Sequence, residues 1–512
     1  MTLSFNQIPS NIGVPGAYVE FNGDNARTAP QAKPVRILVY GQMLATGTAT
    51  PNVPILVSNI GQAINDFGRG SMLADMLGCH FKVNALNEVY VVPQIDQGTV
   101  KAVHSVTYTG NADEAGVASL YIGGRRYTVP VSENTSYDKI AEAMVVEINA
   151  DLDATFTASS ATESGILLIT ARHAGELGND LQINSVFYRS DSIPLGIGVT
   201  YDQTVQGAVN PDVADSIAAT ASGYYTDIIF PYTDEPNMAL IEAELEDRWA
   251  PLPNETSLGA GQNDAHLWTA FRGTQAEFYA WKETRNNRHV TALNVEPPIT
   301  VGDADYVGAM SPVWIFADVY GATGAYYSGI TPNGNLQNIA MGCLQPAPMP
   351  SRFTWNERNQ RILNGGATYK CDGDGSGNGI VLERATTTYT ETINGTVTDA
   401  ERDTETQKLN SYLRWSWRQM ILTKYPRHRL ADDSPRVARQ KDVVTPMRIK
   451  AATVDLAYQW EEDGFIEDID QFKADLRIER STADCNTVNA VSSPNHVNQF
   501  RVFAGQLGYI VC

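Results

Sequence analysis

The sequence predicts a multidomain α/β (α+β) protein, with mixed α/β core sheets, an inserted mostly-β module, and extended β arms at its N- and C-termini. Three observations carry this reading. Strand-like apolar runs alternate with helical patterns on both sides of a central region. From Thr99 to about Gly207 that texture gives way to short strands punctuated by turn residues. The two ends carry short apolar segments, Ala17–Asn22 and Gln499–Cys512, beside stretches rich in turn-forming residues.

In chain order, residues 1–30 are rich in Pro, Gly and Asn and have too few apolar residues to fold alone, so they are expected to form an N-terminal arm. Residues 31–98 read as the first part of the core: the buried strand Val35–Tyr40, the run PILVSNI, a helical stretch to about Asn84, and the strand VYVVP. Residues 99–206 read as the inserted module, built from VKAVHSVTYTG, ASLYIGGRRYTVPV, SGILLITARHA, LQINSVFYR and IGVTYDQTV. Its one helix, Tyr137–Asp151, is expected to be capped by Ser136. Residues 207–345 return to β, α, β, α order, with a further helix expected over Ala304–Tyr320, which fits a mostly parallel sheet.

Residues 346–487 read as a C-terminal domain. A hairpin joins ATYKC to IVLERATTTYTETI around a glycine-rich tip. A helix over Lys408–Tyr425 puts Leu409, Leu413, Trp417, Met420 and Ile421 on one face. A second helix starts at Thr445-Pro446, a capping residue followed by proline at the first helical position, and ends near Asp463-Gly464. Phe472, Ala474, Leu476 and Ile478 alternate with charged residues, which predicts a half-buried strand over Phe472–Arg480. Residues 488–512 are the C-terminal arm, and Gln499–Val511 is its expected strand.

The chain has 512 residues and a formal net charge of -21, which argues against a general nucleic-acid binder. No basic region followed by an apolar run opens the sequence, and no apolar run reaches the ~18 residues of a membrane span. The five cysteines are scattered and odd in number, so a reducing cytoplasm without a disulfide framework is expected.

The sharpest local motif places Asp372, Asp374, Ser376 and Glu383 at calcium-loop spacing. No helix precedes it and a strand pattern follows, so a hairpin tip is the favoured reading and no metal or cofactor is expected. The histidines are dispersed, and there is no GxSxG, P-loop or dinucleotide fingerprint, so no enzyme is expected. The charges are more telling. A basic block over Lys408–Lys450, including Arg436, Arg439 and Lys441, is followed by an acidic block including Glu461, Glu462 and Asp468. That pattern suits surfaces meeting between identical subunits, and equally pairing within one subunit.

The series KYPRHRLADD, VVTPMRIKA, QWEEDGFIEDIDQFKADLRIER and PNHVNQFRVFAGQL resembles the C-terminal region of contractile-tail sheath proteins from Mu-like phages. SRFTWNERNQRILNGGATY and ERATTTYTETINGTVTDAERDTET extend the resemblance upstream, and FNQIPSNIGVPGAYVEF carries it at the N-terminus. Residues 99–205 add nothing to it. The resemblance implies a structural subunit that polymerises helically around a tail tube and contracts, driving the tube through a host envelope for genome ejection. The nearest alternative is the sheath of a phage-tail-like injection device or bacteriocin. From other classes, a virion-associated hydrolase would need a catalytic cluster, and a monomeric receptor-binding module would not polymerise.

Implied partners are further copies of the chain, a tail tube protein, and baseplate and tail terminator proteins, with no nucleic acid and no membrane insertion. The implied location is the virion, after assembly in the host bacterial cytoplasm. An inter-subunit strand mesh would draw on Ala17, Tyr18, Val19, Glu20 and Phe21 from one arm. Phe472, Ala474, Leu476 and Ile478 would supply the core strand, and Phe500, Val502, Leu507, Tyr509 and Val511 the other arm. Arg436, Arg439 and Lys441 would face Glu461, Glu462 and Asp468 across subunits.

Overall fold

RILVYGQ, β1 (Arg36–Gln42), is buried along nearly its whole length, as a strand covered on both faces must be. The computed structural model describes residues 33–161, 164–187, 191–252, 262–301, 304–371, 379–434 and 442–511. These form two compact units, one holding residues 34–415 and 495–511, the other residues 416–494.

In the larger unit β2 (Ile55–Val57), α1 (Ile60–Phe67), α2 (Met72–Val83) and β3 (Glu88–Gln94) follow β1. Beyond the central region come α4 (Ala214–Thr220), β11 (Asp227–Ile229), α5 (Glu235–Trp249), β12 (His266–Arg272), α6 (Gln275–Glu283) and β13 (Val290–Val295). The strands make one sheet in the order β13-β12-β11-β1-β3-β2, parallel throughout except for β2 at the edge. The expected mostly parallel sheet is therefore present, and sequence segments on either side of the central region complete it together.

A short β14–β15 hairpin (Ile299–Val301, Ala304–Tyr306) precedes α7 (Val313–Ile330). The helix expected over Ala304–Tyr320 thus starts nine residues late, with Pro312 at its N-cap. Proline cannot donate the backbone hydrogen bond that an earlier start would require. Val313 through Ala325 are all buried, Asp318 among them, so α7 is covered on every side and runs through the interior. Gly321 and Gly324 let it approach the sheet: a Cβ at either would collide with Ile229 or with the Trp268 ring.

The central region contains β4 (Lys101–Thr109), β5 (Gly116–Ile122), β6 (Arg125–Val131), α3 (Tyr137–Ala150), β7 (Phe156–Ser160), β8 (Ile166–Ala174), β9 (Ile183–Asn184) and β10 (Gly198–Val205). Two antiparallel sheets, β10-β4-β8-β7 and β6-β5-β9, are packed with α3 through Ile140, Ala141, Met144 and Ile148. Ser136 sits at the helix start as expected, but its hydroxyl bonds the Asp138 carboxylate and no backbone N–H. The strand β7 is an addition to the sequence reading. The module leaves and re-enters the core side by side, since a Cβ on Gly98 would lie 2.8 Å from the Ala208 carbonyl.

The hairpin of the C-terminal half is as expected: β17 (Thr368–Cys371) pairs antiparallel with β18 (Ile380–Arg384). β16 (Ile339–Met341) joins it as a third strand, and α8 (Trp355–Leu363) precedes it, opened by a capping box at Thr354 and Glu357. α9 (Thr404–Lys424) starts before the expected Lys408. Cys79, on α2, and Cys343, after β16, form a disulfide with Cα atoms 5.7 Å apart, contrary to the expectation of none. They are 264 residues apart in sequence, so only the fold reveals their proximity. Cys371 and Cys485 are free.

Candidate assembly surface

The smaller unit is built on α10 (Pro446–Glu462). The Thr445 hydroxyl accepts from the Arg448 N–H, a cap worth about 1 kcal/mol, and Pro446 stands at the first helical position. Ile449, Thr453, Leu456 and Trp460 are buried, as their spacing predicts, and Gly464 ends the helix at φ 73°. The Trp460 indole donates to Ser416 Oγ at 3.1 Å, and the Trp417 indole to Thr453 Oγ1 at 3.2 Å. A short parallel pair, β19 (Arg429–Leu430) with β20 (Val443–Val444), leads into α10, and β21 (Ile466–Glu467) follows it.

The strand expected over Phe472–Arg480 needs correction. Ile469–Asp475 is a helix, α11, capped by Asp468, whose side chain accepts from the Gln471 N–H. Phe472 and Leu476 are buried, Phe472 edge-on to Trp460, while Ala474 is exposed. Two apolar residues four apart fit a helix as well as a strand, and exposure of the residue between them excludes the strand there. The strand proper is β22 (Arg477–Arg480), carrying the half-buried Ile478. It pairs antiparallel with β23 (Val488–Val491), within the stretch read as the start of the C-terminal arm. This is a two-stranded sheet, so among the described residues both outer edges lack a strand partner. Such edges are templates for added strands.

The C-terminal arm supplies a complementary feature. Residues 502–511 are all exposed, with Leu507 99%, Tyr509 88% and Ile510 94% open, and Phe500 and Val502 nearly as open. They form no strand among the described residues, where one was expected over Gln499–Val511. The β-type composition remains, but a strand needs a neighbour to close its hydrogen bonds. Apolar exposure this continuous marks a segment meant to be covered.

Residues 396–508 match the phage tail sheath C-terminal domain family. Over its full length the chain is 33% identical, across 513 residues and 100% of both sequences, to the Mu-like prophage FluMu tail sheath protein of Haemophilus influenzae. The chain belongs to the phage tail sheath family.

Among solved structures, this sheath chain is similar to a sheath tail protein of Desulfitobacterium hafniense, with TM-score 0.46, 12% identity, and coverage of 94% of this chain and 100% of that one. A sheath tail protein from Listeria innocua gives TM-score 0.47, 11% identity, and coverage of 92% and 94%. The helical sheath of the anti-feeding prophage in its contracted state gives 0.44, 10%, and coverage of 97% and 99%. The family assignment stands on the sequence relative and the matched domain.

The remaining residues singled out from the sheath sequence sort as follows. Ala17, Tyr18, Val19, Glu20 and Phe21 lie outside the described residues, as do Arg436, Arg439 and Lys441. Of the acidic set, Glu461 is half-buried on α10, while Glu462 and Asp468 are exposed. Some nearby charges pair within the unit: Arg480 reaches Asp432 at 3.1 Å, and Lys473 reaches Asp470 at 3.1 Å. Asp372, Asp374 and Ser376 lie outside the described residues. Glu383 is on β18, accepting from Arg358 Nε at 2.9 Å and Thr368 Oγ1 at 3.0 Å. A carboxylate already held by a guanidinium is a poor cation ligand.

Sequence reasoning missed the buried polar framework of the larger unit. Asp227, fully buried, accepts from Lys408 Nζ at 2.5 Å and from the Trp268 indole at 2.8 Å. His80 and Asp318 lie 2.9 Å apart, both wholly buried, and burial raises the Asp318 carboxyl. These groups are buried in the interior, and their ionic partners lie 181 and 238 residues away in the chain. A cleft of about 420 Å³ beside Cys79 and Cys343 has its carboxylates committed, Asp75 to Arg125 and Asp153 to Arg69. Arg501 was also missed. Its signal was available: it is the lone charge between Gln499 and Val511.

Proposed function

We infer that this sheath subunit polymerises by strand exchange into a helical tube and shortens as a lattice. The exposed apolar segment 502–511, together with two β22–β23 edges that lack a strand partner among the described residues, supports this reading above all else. An arm from one copy adds to a hairpin edge of another, and backbone hydrogen bonds supply the joint. Such a contact is heterologous: the donor surface differs from the acceptor surface, so repetition gives an open helix unless the rotation closes. Burying a fully exposed Leu, Ile or Phe is worth about 1.5–3 kcal/mol each, which makes apolar arms effective ties.

The tube it surrounds is a tail tube, its ends meet baseplate and terminator proteins, and the polymer is part of the virion after assembly in the bacterial cytoplasm. Work comes from the difference in subunit packing between two lattices, without a catalytic step. Negative-stain microscopy of the purified chain tests this. Tubes or stacked rings support it, and discrete globular particles at all concentrations oppose it.

A further inference from the structure

In the exposed run from Phe500 to Val511 one residue is tucked in. Arg501 has only 13% of its side chain exposed. Its guanidinium is held on both sides. One terminal nitrogen donates to Asn335 Oδ1 at 2.6 Å and Gln337 Oε1 at 3.2 Å; the other donates to Glu405 Oε1 at 2.8 Å and Asp403 Oδ1 at 3.2 Å. The flanking residues are tied at the same place. Gln499 Nε2 donates to the Asn333 carbonyl at 2.6 Å, and Gln337 Nε2 donates to the Phe500 carbonyl at 3.1 Å.

The socket is built from two parts of the larger unit. Asn333, Asn335 and Gln337 come from the segment between α7 and β16, and Asp403 and Glu405 from the entry of α9. Asp403 is shared with Arg384 of β18, at 2.8 and 3.0 Å. Glu405, with a side chain 1% exposed, also accepts from the Leu336 N–H at 2.7 Å. Burial pushes its carboxyl up and Arg501 opposes that shift. A planar fork that meets carboxylates and amides at once fixes direction as well as position, which a flexible ammonium does not.

We propose that Arg501 is the positioning residue of the exchange arm: it pins the arm's base to its own subunit, so that residues 502–511 leave in one direction. This rests on the strand-exchange reading above. The segment before the pin stays with its own subunit, and only the segment after it travels to a neighbour. Fixing the base raises the effective concentration of the arm at the neighbour's edge and lowers the ordering cost of each joint.

The test uses the full-length chain with Arg501→Lys, Arg501→Met, Glu405→Gln and the double variant Arg501→Met/Glu405→Gln, beside a truncation lacking residues 502–512. Thermal melting and tube yield by negative stain are read on each. Arg501→Met should melt lower, because Glu405 stays buried without its cation, and the double variant should regain most of that loss. Both should yield at least about tenfold fewer tubes than wild type, since the base of the arm is no longer fixed. Arg501→Lys should fold normally and still give several-fold fewer tubes.

Wild-type tube yield from the double variant or from Arg501→Lys would overturn the proposal, leaving Arg501 as a neutraliser of Glu405 only. The truncation separates the two ideas. Tubes from the truncated chain mean that strand exchange by this arm is wrong. A truncated chain without tubes beside normal Arg501 variants means that only the positioning role is wrong.

Discussion

Excising the central module is a demanding test of how the larger unit is put together. The perturbation replaces residues 99–206 with a short Gly/Ser linker, which the closeness of Gly98 and Ala208 permits. The core then loses specific partners. Arg272, its side chain 8% exposed, loses Asp180 at 2.6 Å but keeps the carbonyls of Ala309 and Ser311, each at 2.7 Å. The Val313 N–H, at the first turn of α7, loses the Asp180 carboxylate, and the Met72 N–H loses His173 Nε2 at 3.1 Å.

Breaking a buried ion pair costs about 3–5 kcal/mol when the survivor stays buried. Here excision opens the site to water, and the guanidinium keeps two acceptors, so the low end applies, about 3 kcal/mol. With an unfolding entropy near 2.1 cal/mol/K per residue, a remainder of about 400 residues melts about 4 °C lower. Arg272→Met in the excised chain should return part of that loss. The assay is circular dichroism for the melt and negative stain for tubes, which should still form if the module is a separable outer domain. A folded, soluble excised chain that never polymerises would mean that the module is part of the lattice. A melt lowered by far more than this would mean the core depends on the module's apolar packing.

Other outcomes follow from particular residues. Burial drives His289 from 6.5 down to about 3, so the fold keeps it neutral while the unfolded chain takes up a proton below 6.5. Stability is then complete above pH 6.5 and declines as pH falls toward 3, by on the order of 4 kcal/mol. Urea unfolding of His289→Phe should show a flatter acid limb, and an unchanged limb would contradict this. Gly324→Ala puts a methyl into the Trp268 ring and should cost about 1–3 kcal/mol, read by thermal melting; a neutral result would mean that α7 can shift. Non-reducing peptide mapping should recover Cys79 linked to Cys343, with Cys371 and Cys485 alkylated; any other pairing would contradict the fold in that region.

Much of this fold was legible because burial and period agree along its elements. The nearly all-buried β1, the capped start of α10 at Thr445-Pro446, and the α3 stripe follow from local chemistry alone. The sequence failed where one pattern fits two periods. Phe472 and Leu476 satisfy a strand and a helix equally, and their packing, with Phe472 against Trp460, decides for the helix. It failed again where pairing is non-local: β23 looks like loop until β22 lies beside it, and nothing near Cys79 announces Cys343. The arm was legible as an apolar segment, but the strand expected over Gln499–Val511 is not formed among the described residues, because a strand needs a neighbour to close its hydrogen bonds. Arg501 was passed over because a single cation in an apolar run reads as solubility, while its socket is assembled from residues near 335 and 405.

If the exposed C-terminal arm joins this sheath subunit to its neighbours, assembly depends on residues 502–512. Negative-stain microscopy of purified full-length chain, beside the chain ending at Arg501, tests it most directly. The full-length chain should give tubes or stacked rings, and the shortened one only monomers that melt close to the full-length monomer. Tubes from both chains, or from neither, would contradict it.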